Sequence, residues 1–510
     1  MVSAGLLGCS KAPRPSIIIV TVDTLRADHL GAYGHQAART PVIDDLARRG
    51  RVFTTALTPS PRTTPALATL LTGLRPWTHG SREVGQKMRA VTGLASTLKQ
   101  AGYATFAVSV NGAAGPEQNL DLGFDRFLDH LQVENHTAAG VTDATLDLLD
   151  EAEPTAPLLL WVHYIDPHFP YAPPASWTDQ PAAPLCRSLY RRIDGDLRET
   201  ALLRGDLEGR ASAGLEECTT LYDAEIAFTD FHLGRLFEGL ETRGWLAGSF
   251  VLFTSDHGEN LGEDGLFFEH GPSVHDASLR VPLILVGPGV EPARDRGIAR
   301  LEDITPTLLD LVELDPPEGV SFDGVSLVPR LGAAGSEASA TIAIAEAGNA
   351  LLPESFAYIY SGQNRKLHCI NTASYSLCSD GDGEVRLYDH EVDPYLQSDL
   401  SSELPEVVED LLAARDRWPP LEVRERSAHI GRYKLVERPR FEGGFSAALY
   451  DLSSAAGESE DMSARFPELV NRLRRELSQE LDRTESSEPG ELSSRTLEAL
   501  RALGYMNLNR

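Results

Sequence analysis

The chain has 510 residues, with 46 Lys+Arg against 75 Asp+Glu, a formal net charge of −29. That length exceeds one small domain, and 42% hydrophobic with 24% charged residues is ordinary for a globular protein, which excludes wholesale disorder. So acidic a surface also excludes a protein that coats nucleic acid, because phosphate backbones reward Lys and Arg, yet it leaves room for a small anionic ligand in a locally positive pocket.

Segment 1–14 carries Leu6-Leu7-Gly8-Cys9, which looks like a bacterial lipobox. Only eight residues precede Cys9, with no basic region and too few apolar residues for a full export signal. We read a signal remnant and linker, and expect an exported protein of the cell envelope or periplasm whose one membrane contact is a lipid anchor at Cys9. In an oxidising compartment Cys186–Cys218 and Cys369–Cys378 are expected as local disulfides; in the cytosol the same four are thiols. No apolar run approaches the roughly 18 residues of a membrane span.

Ile17–Val22 is a continuous β-branched run ending at Asp23, and reads as a buried parallel strand. Pro65–Thr72 reads as a helix closed by Gly73, with Pro in its first turn. The helix Leu94–Gln100, a turn at Gly102 and the strand Ala104–Val110 follow. Leu158–His163 is a further strand, leading into Asp166-Pro167-His168. A long helix is predicted over Cys218–Thr242, then a strand Phe250–Thr254 ending at Ser255-Asp256-His257, and a last apolar run, Val281–Val286. Strands alternating with helices predict an α/β fold over 15–340, a doubly wound, mostly parallel central sheet flanked by helices. Such sheets bind ligands at the carboxyl ends of their strands, where Asp23, His168, Asp256 and His257 all fall.

The texture changes after residue 340. Leu387-Tyr388-Asp389 matches Leu449-Tyr450-Asp451 at an offset of 62 residues, as do Asp399 with Asp461 and Pro405-Glu406 with Pro467-Glu468. Upstream, Arg365-Lys366-Leu367 echoes Tyr433-Lys434-Leu435 at an offset of 68. We read 341–483 as a smaller α+β region holding a duplicated unit of hairpin, Tyr-Asp turn and helix, the helices over Val407–Arg415 and Glu468–Leu481. Residues 484–510 read as a Ser/Glu-rich linker and a terminal helix, Thr496–Leu503. The loop Pro173–Gly214 contains Arg187, Arg191, Arg192, Arg198 and Arg204, which either rim the site or lie on a solvated helix.

Asp23, Asp256 and His257 offer two carboxylates and an imidazole at strand ends, a compact donor set for one divalent cation; Ca²⁺, Mn²⁺ and Zn²⁺ all suit it. Thr63 stands at a helix start, where backbone N–H groups and the macrodipole favour an anion. A plain N-cap role for Thr63 is the competing reading.

The ordered segments Val20-Thr21-Val22-Asp23-Thr24-Leu25-Arg26-Ala27-Asp28, Thr40-Pro41-Val42-Ile43-Asp44, Thr63-Thr64-Pro65 through Gly73, Asp166-Pro167-His168-Phe169-Pro170-Tyr171 and Thr254-Ser255-Asp256-His257-Gly258-Glu259 carry a family pattern. Together they resemble the sulfatase branch of the alkaline phosphatase superfamily over nearly the whole chain. The resemblance implies one divalent metal held by Asp23, Thr24, Thr63, Asp256 and His257, with Thr24 a poorer ligand where a second acid often stands. It implies Thr63 as nucleophile, His168 and His270 beside the transferred group or leaving oxygen, and Asn111 as a substrate-binding donor.

Two departures bear on mechanism. Sulfatases convert a Cys or Ser in a C-x-P-x-R pattern to formylglycine, and Thr63-Thr64-Pro65-Ala66-Leu67 lacks both that residue and the Arg. The family's Lys-Trp-His segment is absent too, with Ser109-Val110-Asn111 near its place. A Thr nucleophile is similar instead to that of envelope phosphoethanolamine and phosphoglycerol transferases. The resemblance therefore implies a metal-dependent hydrolase of sulfate or phosphate esters that uses Thr63. The alternatives are a phosphoryl or phosphodiester transferase on envelope glycans or lipids, and a catalytically inactive metal-containing binding protein. The implied partner is a small anionic ester, or the sulfated or phosphorylated head of a glycan or lipid, with no nucleic acid.

Overall fold

The computed structural model describes residues 14–151, 156–179, 183–186, 210–263, 267–271, 274–332, 342–347, 358–361, 365–371, 375–379, 385–389, 399–409, 412, 425–439, 445–454 and 457–481. The first region contains β1 (Ile17–Val22), β2 (Arg51–Leu57), β3 (Ala104–Ser109), β4 (Arg126–Leu128), β5 (Leu158–Tyr164) and β6 (Phe250–Ser255). A small ribbon, β7 (Asn260–Leu261) and β8 (Phe267–Glu269), precedes β9 (Arg280–Val286) and β10 (Ala293–Arg300). The main sheet runs β10-β2-β9-β6-β1-β5-β3-β4. Its neighbours are parallel except at β9, which is antiparallel to both β2 and β6.

Helices cover both faces, and β1 shows why its run is apolar at every position. Side chains alternate across a strand, so Ile18, Val20 and Val22 join a core with α1 (Pro41–Arg49), α4 (Ala138–Leu149) and α5 (Arg210–Thr242). Ile17 and Ile19 join a second core with α2 (Thr63–Thr72), α3 (Leu94–Gln100) and α6 (Ile304–Leu311). The architecture is the doubly wound α/β fold expected, with corrections. The run Val281–Val286 is antiparallel, because an apolar run buried on both faces reads alike in either direction. The helix expected from Cys218 begins at Arg210, and the one expected from Pro65 begins at Thr63, since the first turn needs no N–H from Pro. The strand β10 was not legible, being a polar Ala-Arg-Asp-Arg-Gly-Ile-Ala-Arg stretch at the sheet edge with its first half exposed.

Beyond residue 340 lie β11 (Ile342–Glu346), β12 (Tyr358–Ser361), β13 (Arg365–Asn371), β14 (Tyr375–Ser379), β15 (Val385–Asp389), β16 (Arg426–Ile430), β17 (Tyr433–Pro439), β18 (Phe445–Asp451) and α7 (Pro467–Leu481). They form two antiparallel sheets, β11-β16-β17-β18 and β12-β13-β14-β15. The two Tyr-Asp segments close alike. Leu387 N donates to Asp399 Oδ1 at 3.1 Å and Leu449 N to Asp461 Oδ1 at 3.0 Å. The upstream echo is not the same hairpin: β17 pairs directly with β18, whereas β14 stands between β13 and β15.

Cys186 and Cys218 form a disulfide. Cys369 and Cys378 stand directly opposite on β13 and β14, and their side chains lie outside the described residues. So do Cys9, the five arginines between 187 and 204, and Thr496–Leu503; of Val407–Arg415, residues 407–409 are helical. No helix among the described residues is long and apolar enough to cross a membrane.

Candidate active site

The strand register builds the site. In β1, Thr21 pairs with His163 of β5 and Thr254 of β6, and Val22 with Tyr164 and Ser255. The residues that follow, Asp23 and Asp256, therefore emerge side by side at the carboxyl edge, with Asp23 N bonded to Tyr164 O at 2.8 Å. Asp23, Asp256, His257 and Thr63 are all fully buried. One donor atom from each of Asp23, Asp256 and His257 lies within 4.8 Å of the others.

The tautomer of His257 follows from its surroundings. Its Nδ1 lies 2.9 Å from Gly258 O, which can only accept, so Nδ1 carries the proton and Nε2 presents a lone pair. That nitrogen stands 3.2 Å from Thr63 Oγ1, 3.4 Å from Asp256 Oδ2 and 3.8 Å from Asp23 Oδ1. Burial would raise the Asp23 carboxyl, but the His163 hydrogen bond and the charges of His168, His163 and His257 outweigh it and hold it at about 2. Burial and the Asp23 charge push Asp256 up to about 6. Two buried carboxylates side by side repel, and a cation between them removes that cost.

The donor set fits such a cation. Asp23 Oδ1 and Asp256 Oδ2 accept no hydrogen bond from any described residue, although both are buried. The other oxygens are engaged: Asp256 Oδ1 accepts His257 N (2.8 Å) and Thr24 N (3.3 Å), while Asp23 Oδ2 accepts Asn111 Nδ2. Carboxylate oxygens with one imidazole nitrogen suit a divalent ion between hard and borderline.

Thr24 and Asn111 occupy places other than those expected. Thr24 takes a left-handed backbone (φ 52°), its hydroxyl donates to Pro167 O at 3.2 Å, and its amide N–H, not its hydroxyl, addresses the cluster through Asp256. Asn111, expected on the substrate, has its amide on Asp23, while Oδ1 accepts Ala113 N at 2.7 Å. Thr63 is not an N-cap: Arg62 caps α2 and Thr63 is its first helical residue. Thr64 seats that turn, donating to Ala113 O (2.7 Å) and accepting Gly85 N (2.9 Å).

His168 and His270 complete one wall. Their rings lie 5.1 Å apart, and His270 stacks on His257 at 4.4 Å. His168 Nδ1 donates to Phe169 O at 2.6 Å, and His270 Nδ1 stands 3.2 Å from Glu259 Oε1. Burial depresses both imidazoles, His270 well below the ordinary value because it also sits beside His257, His168 and Arg62, whose protonated forms oppose its own. Both are therefore neutral at neutral pH, with Nε2 as the acceptor.

Three contributors had no clear signal in the sequence. His163 lies 3.4 Å from Asp23 Oδ2, and its Nδ1 bonds Thr21 Oγ1, which also receives Trp161 Nε1. A His closing an apolar strand looks like packing until the register places it beside Asp23. Glu259 backs His270 and accepts Tyr171 OH at 3.3 Å. Arg62 lies against Gly271, whose φ of 103° and missing Cβ leave room for the guanidinium, and its Nε is 3.6 Å from Glu83.

Residues 15–314 match the Sulfatase family model. An arylsulfatase of Clostridium perfringens is 26% identical over 382 residues, covering 62% of this chain and 78% of that protein. A choline-sulfatase of Rhizobium meliloti is 25% identical over 370 residues, covering 62% and 72%. The phosphonate monoester hydrolase of Silicibacter pomeroyi superposes with a TM-score of 0.63 at 17% identity, over 93% of this chain and 96% of that one, a likeness of fold.

Proposed function

The chain belongs to the sulfatase family, and on that premise we propose that it hydrolyses small sulfate or phosphonate esters with Thr63 as the nucleophile. The observation that carries this reading is Thr63 Oγ1, buried and 3.2 Å from His257 Nε2, at the first turn of α2 where the family carries its reacting residue. The relatives' names, an arylsulfatase, a choline-sulfatase and a phosphonate monoester hydrolase, support the ester class. Asp23, Asp256 and His257 would hold a divalent cation, which would supply Lewis acidity at the reacting centre.

Thr63 Oγ1 forms a bond to sulfur or phosphorus as the bond from that atom to the ester oxygen breaks, and that oxygen leaves with the electron pair. The Thr63 proton passes to the neutral imidazole of His168 or His270, which then gives it to the leaving oxygen. Water next attacks sulfur or phosphorus as the bond to Thr63 Oγ1 breaks, releasing sulfate or the phosphonate, and a proton from that water restores the Thr63 hydroxyl. N–H groups at the start of α2 stabilise the negative oxygens throughout.

Nitrophenol release from nitrophenyl sulfate and from nitrophenyl phosphonate, with and without chelator, tests the reading. Thr63→Ala is expected to lose about a thousandfold or more in kcat, as nucleophile removal does elsewhere. Full metal-dependent turnover by Thr63→Ala sinks the role of Thr63. No turnover by a wild-type protein that still binds metal sinks hydrolysis and leaves the binding protein. An oxidising envelope compartment belongs to the same proposal and is supported by the Cys186–Cys218 disulfide; recovery of the protein from a reducing cytosol overturns it.

A further inference from the structure

The loop after Asp23 carries two histidines that the reaction above does not use. His29 closes a 3₁₀ turn, Ala27–His29, and His35 follows a second, Gly31–Tyr33. Both face Asp223 of α5, far away in sequence. His29 Nδ1 is 2.6 Å from Asp223 Oδ1, and His35 Nε2 is 3.7 Å from Asp223 Oδ2. The imidazole centroids are 5.5 Å apart. One donor atom from each of the three residues lies within 4.8 Å of the others, and all three side chains are partly buried.

We propose that His29, His35 and Asp223 form a second metal site, one that takes a divalent transition ion of the zinc, cobalt or nickel type. Two neutral imidazoles with a carboxylate make a nitrogen-rich donor set, softer than the pair of carboxylates at the catalytic cluster. The carboxylate offers a separate oxygen to each ring, and its partial exposure leaves water the fourth position. Donors about 3.3 Å apart surround a tetrahedral ion at bond lengths of about 2.0–2.1 Å. Closure is a small adjustment: the His29 contact opens, the His35 contact tightens, and the ion replaces the proton between His29 and Asp223.

The site bears on the reaction through its neighbour on α5. Tyr222 donates its hydroxyl to Thr24 O at 2.7 Å and accepts Arg26 N at 2.9 Å, and the His29 ring stands edge-on to it at 5.1 Å. An ion on His29, His35 and Asp223 pins the loop to α5 and so holds the left-handed Thr24 turn from which Asp23 projects. This role is structural and independent of how Thr63 acts.

Metal-stripped wild type and His35→Ala are titrated with Zn²⁺ and with Co²⁺ by calorimetry, and thermal melts are recorded with and without Zn²⁺. His35 is partly exposed, so its truncation is expected to leave the circular dichroism unchanged. The proposal expects His35→Ala to bind one equivalent less than wild type, whatever the catalytic cluster holds, and to lose part of the Zn²⁺-dependent rise in Tm. Asp223→Asn is expected to do the same. Asp256→Asn, which disables the catalytic cluster, is expected to keep one equivalent and the part of the Tm rise that His35→Ala loses. Equal stoichiometry in wild type and His35→Ala, or binding weaker than millimolar, overturns the second site and leaves the reading of Thr63 untouched.

Discussion

Asp23 carries two oxygens with different duties. Oδ2 receives the Asn111 amide and faces His163 Nε2, while Oδ1 points at the His257 and Asp256 donors. A ligand oriented by hydrogen bonds binds metal better than one left to rotate. Asn111→Ala is therefore expected to weaken metal affinity by about 10- to 100-fold, measured by chelator competition. A rise in KM for the ester with unchanged metal affinity would return Asn111 to the substrate. At this scale the sequence showed the residues at strand ends, because a chain leaving a buried strand at the carboxyl edge has few places to go. It did not show that Asn111 and His163 converge on them, or that Arg62 lies against Gly271. Those contacts depend on register and on Gly271 being bare, and neither leaves a local pattern.

The same division holds for the elements. Runs such as Ile17–Val22 and Phe250–Thr254 were legible because both faces are buried, but direction was not, as β9 shows. What α5 does against the segment after β5 was hidden as well. Glu225 lies on α5 with one carboxyl oxygen on Ala172 N at 2.6 Å and the other buried without a described partner. Burial and the nearby Asp166 charge push it well above the usual carboxyl range, and burial pushes Asp166 up to about 6. Below about pH 4 folded and unfolded chains both keep these protons. As pH rises the unfolded chain releases them first, so stability falls through the window up to about 6 for Asp166 and further for Glu225. Glu225→Gln keeps the shape and the Ala172 bond without the charge. It is expected to raise Tm by a few degrees at pH 8, with little effect at pH 4. Melts that drop equally at both pH values would mean that the carboxyl group's shape and hydrogen bonding, and not its charge, set the effect.

At the scale of the whole molecule, the change of texture near residue 340 was legible, but the joint across it was not. Trp77 of the first region is buried among Ile344, Leu435, Leu449, Leu473 and Leu477 of the second. Arg75 pairs with Glu480 at 2.7 Å, and Arg82 with Glu346 at 2.5 Å. The deepest tie is Lys434 on β17, fully buried, donating to Val274 O (2.6 Å), Asp276 (3.0 Å) and Glu458 (2.8 Å). His429 adds a contact to the same Asp276 oxygen at 3.1 Å. Because Val274 and Asp276 follow His270 by a few residues, the β11-β16-β17-β18 sheet anchors the segment that carries a wall of the candidate active site. Net charge, −29 over the chain, does not foretell this, since a sum of charges does not say which acid meets which base across the joint. Lys434→Met fits a chain of similar length but leaves the partly buried Asp276 and Glu458 without their cation. Removing one partner of such a group costs about 3–5 kcal/mol, so urea unfolding of Lys434→Met is expected to show that loss. Nitrophenol release should fall with it even where the protein remains folded, because the His270 segment loosens. Adding Asp276→Asn removes one stranded charge, and the double variant is expected to regain part of the stability. A double variant no more stable than Lys434→Met would show that packing of the lysine stem, and not its charge, holds the two regions together.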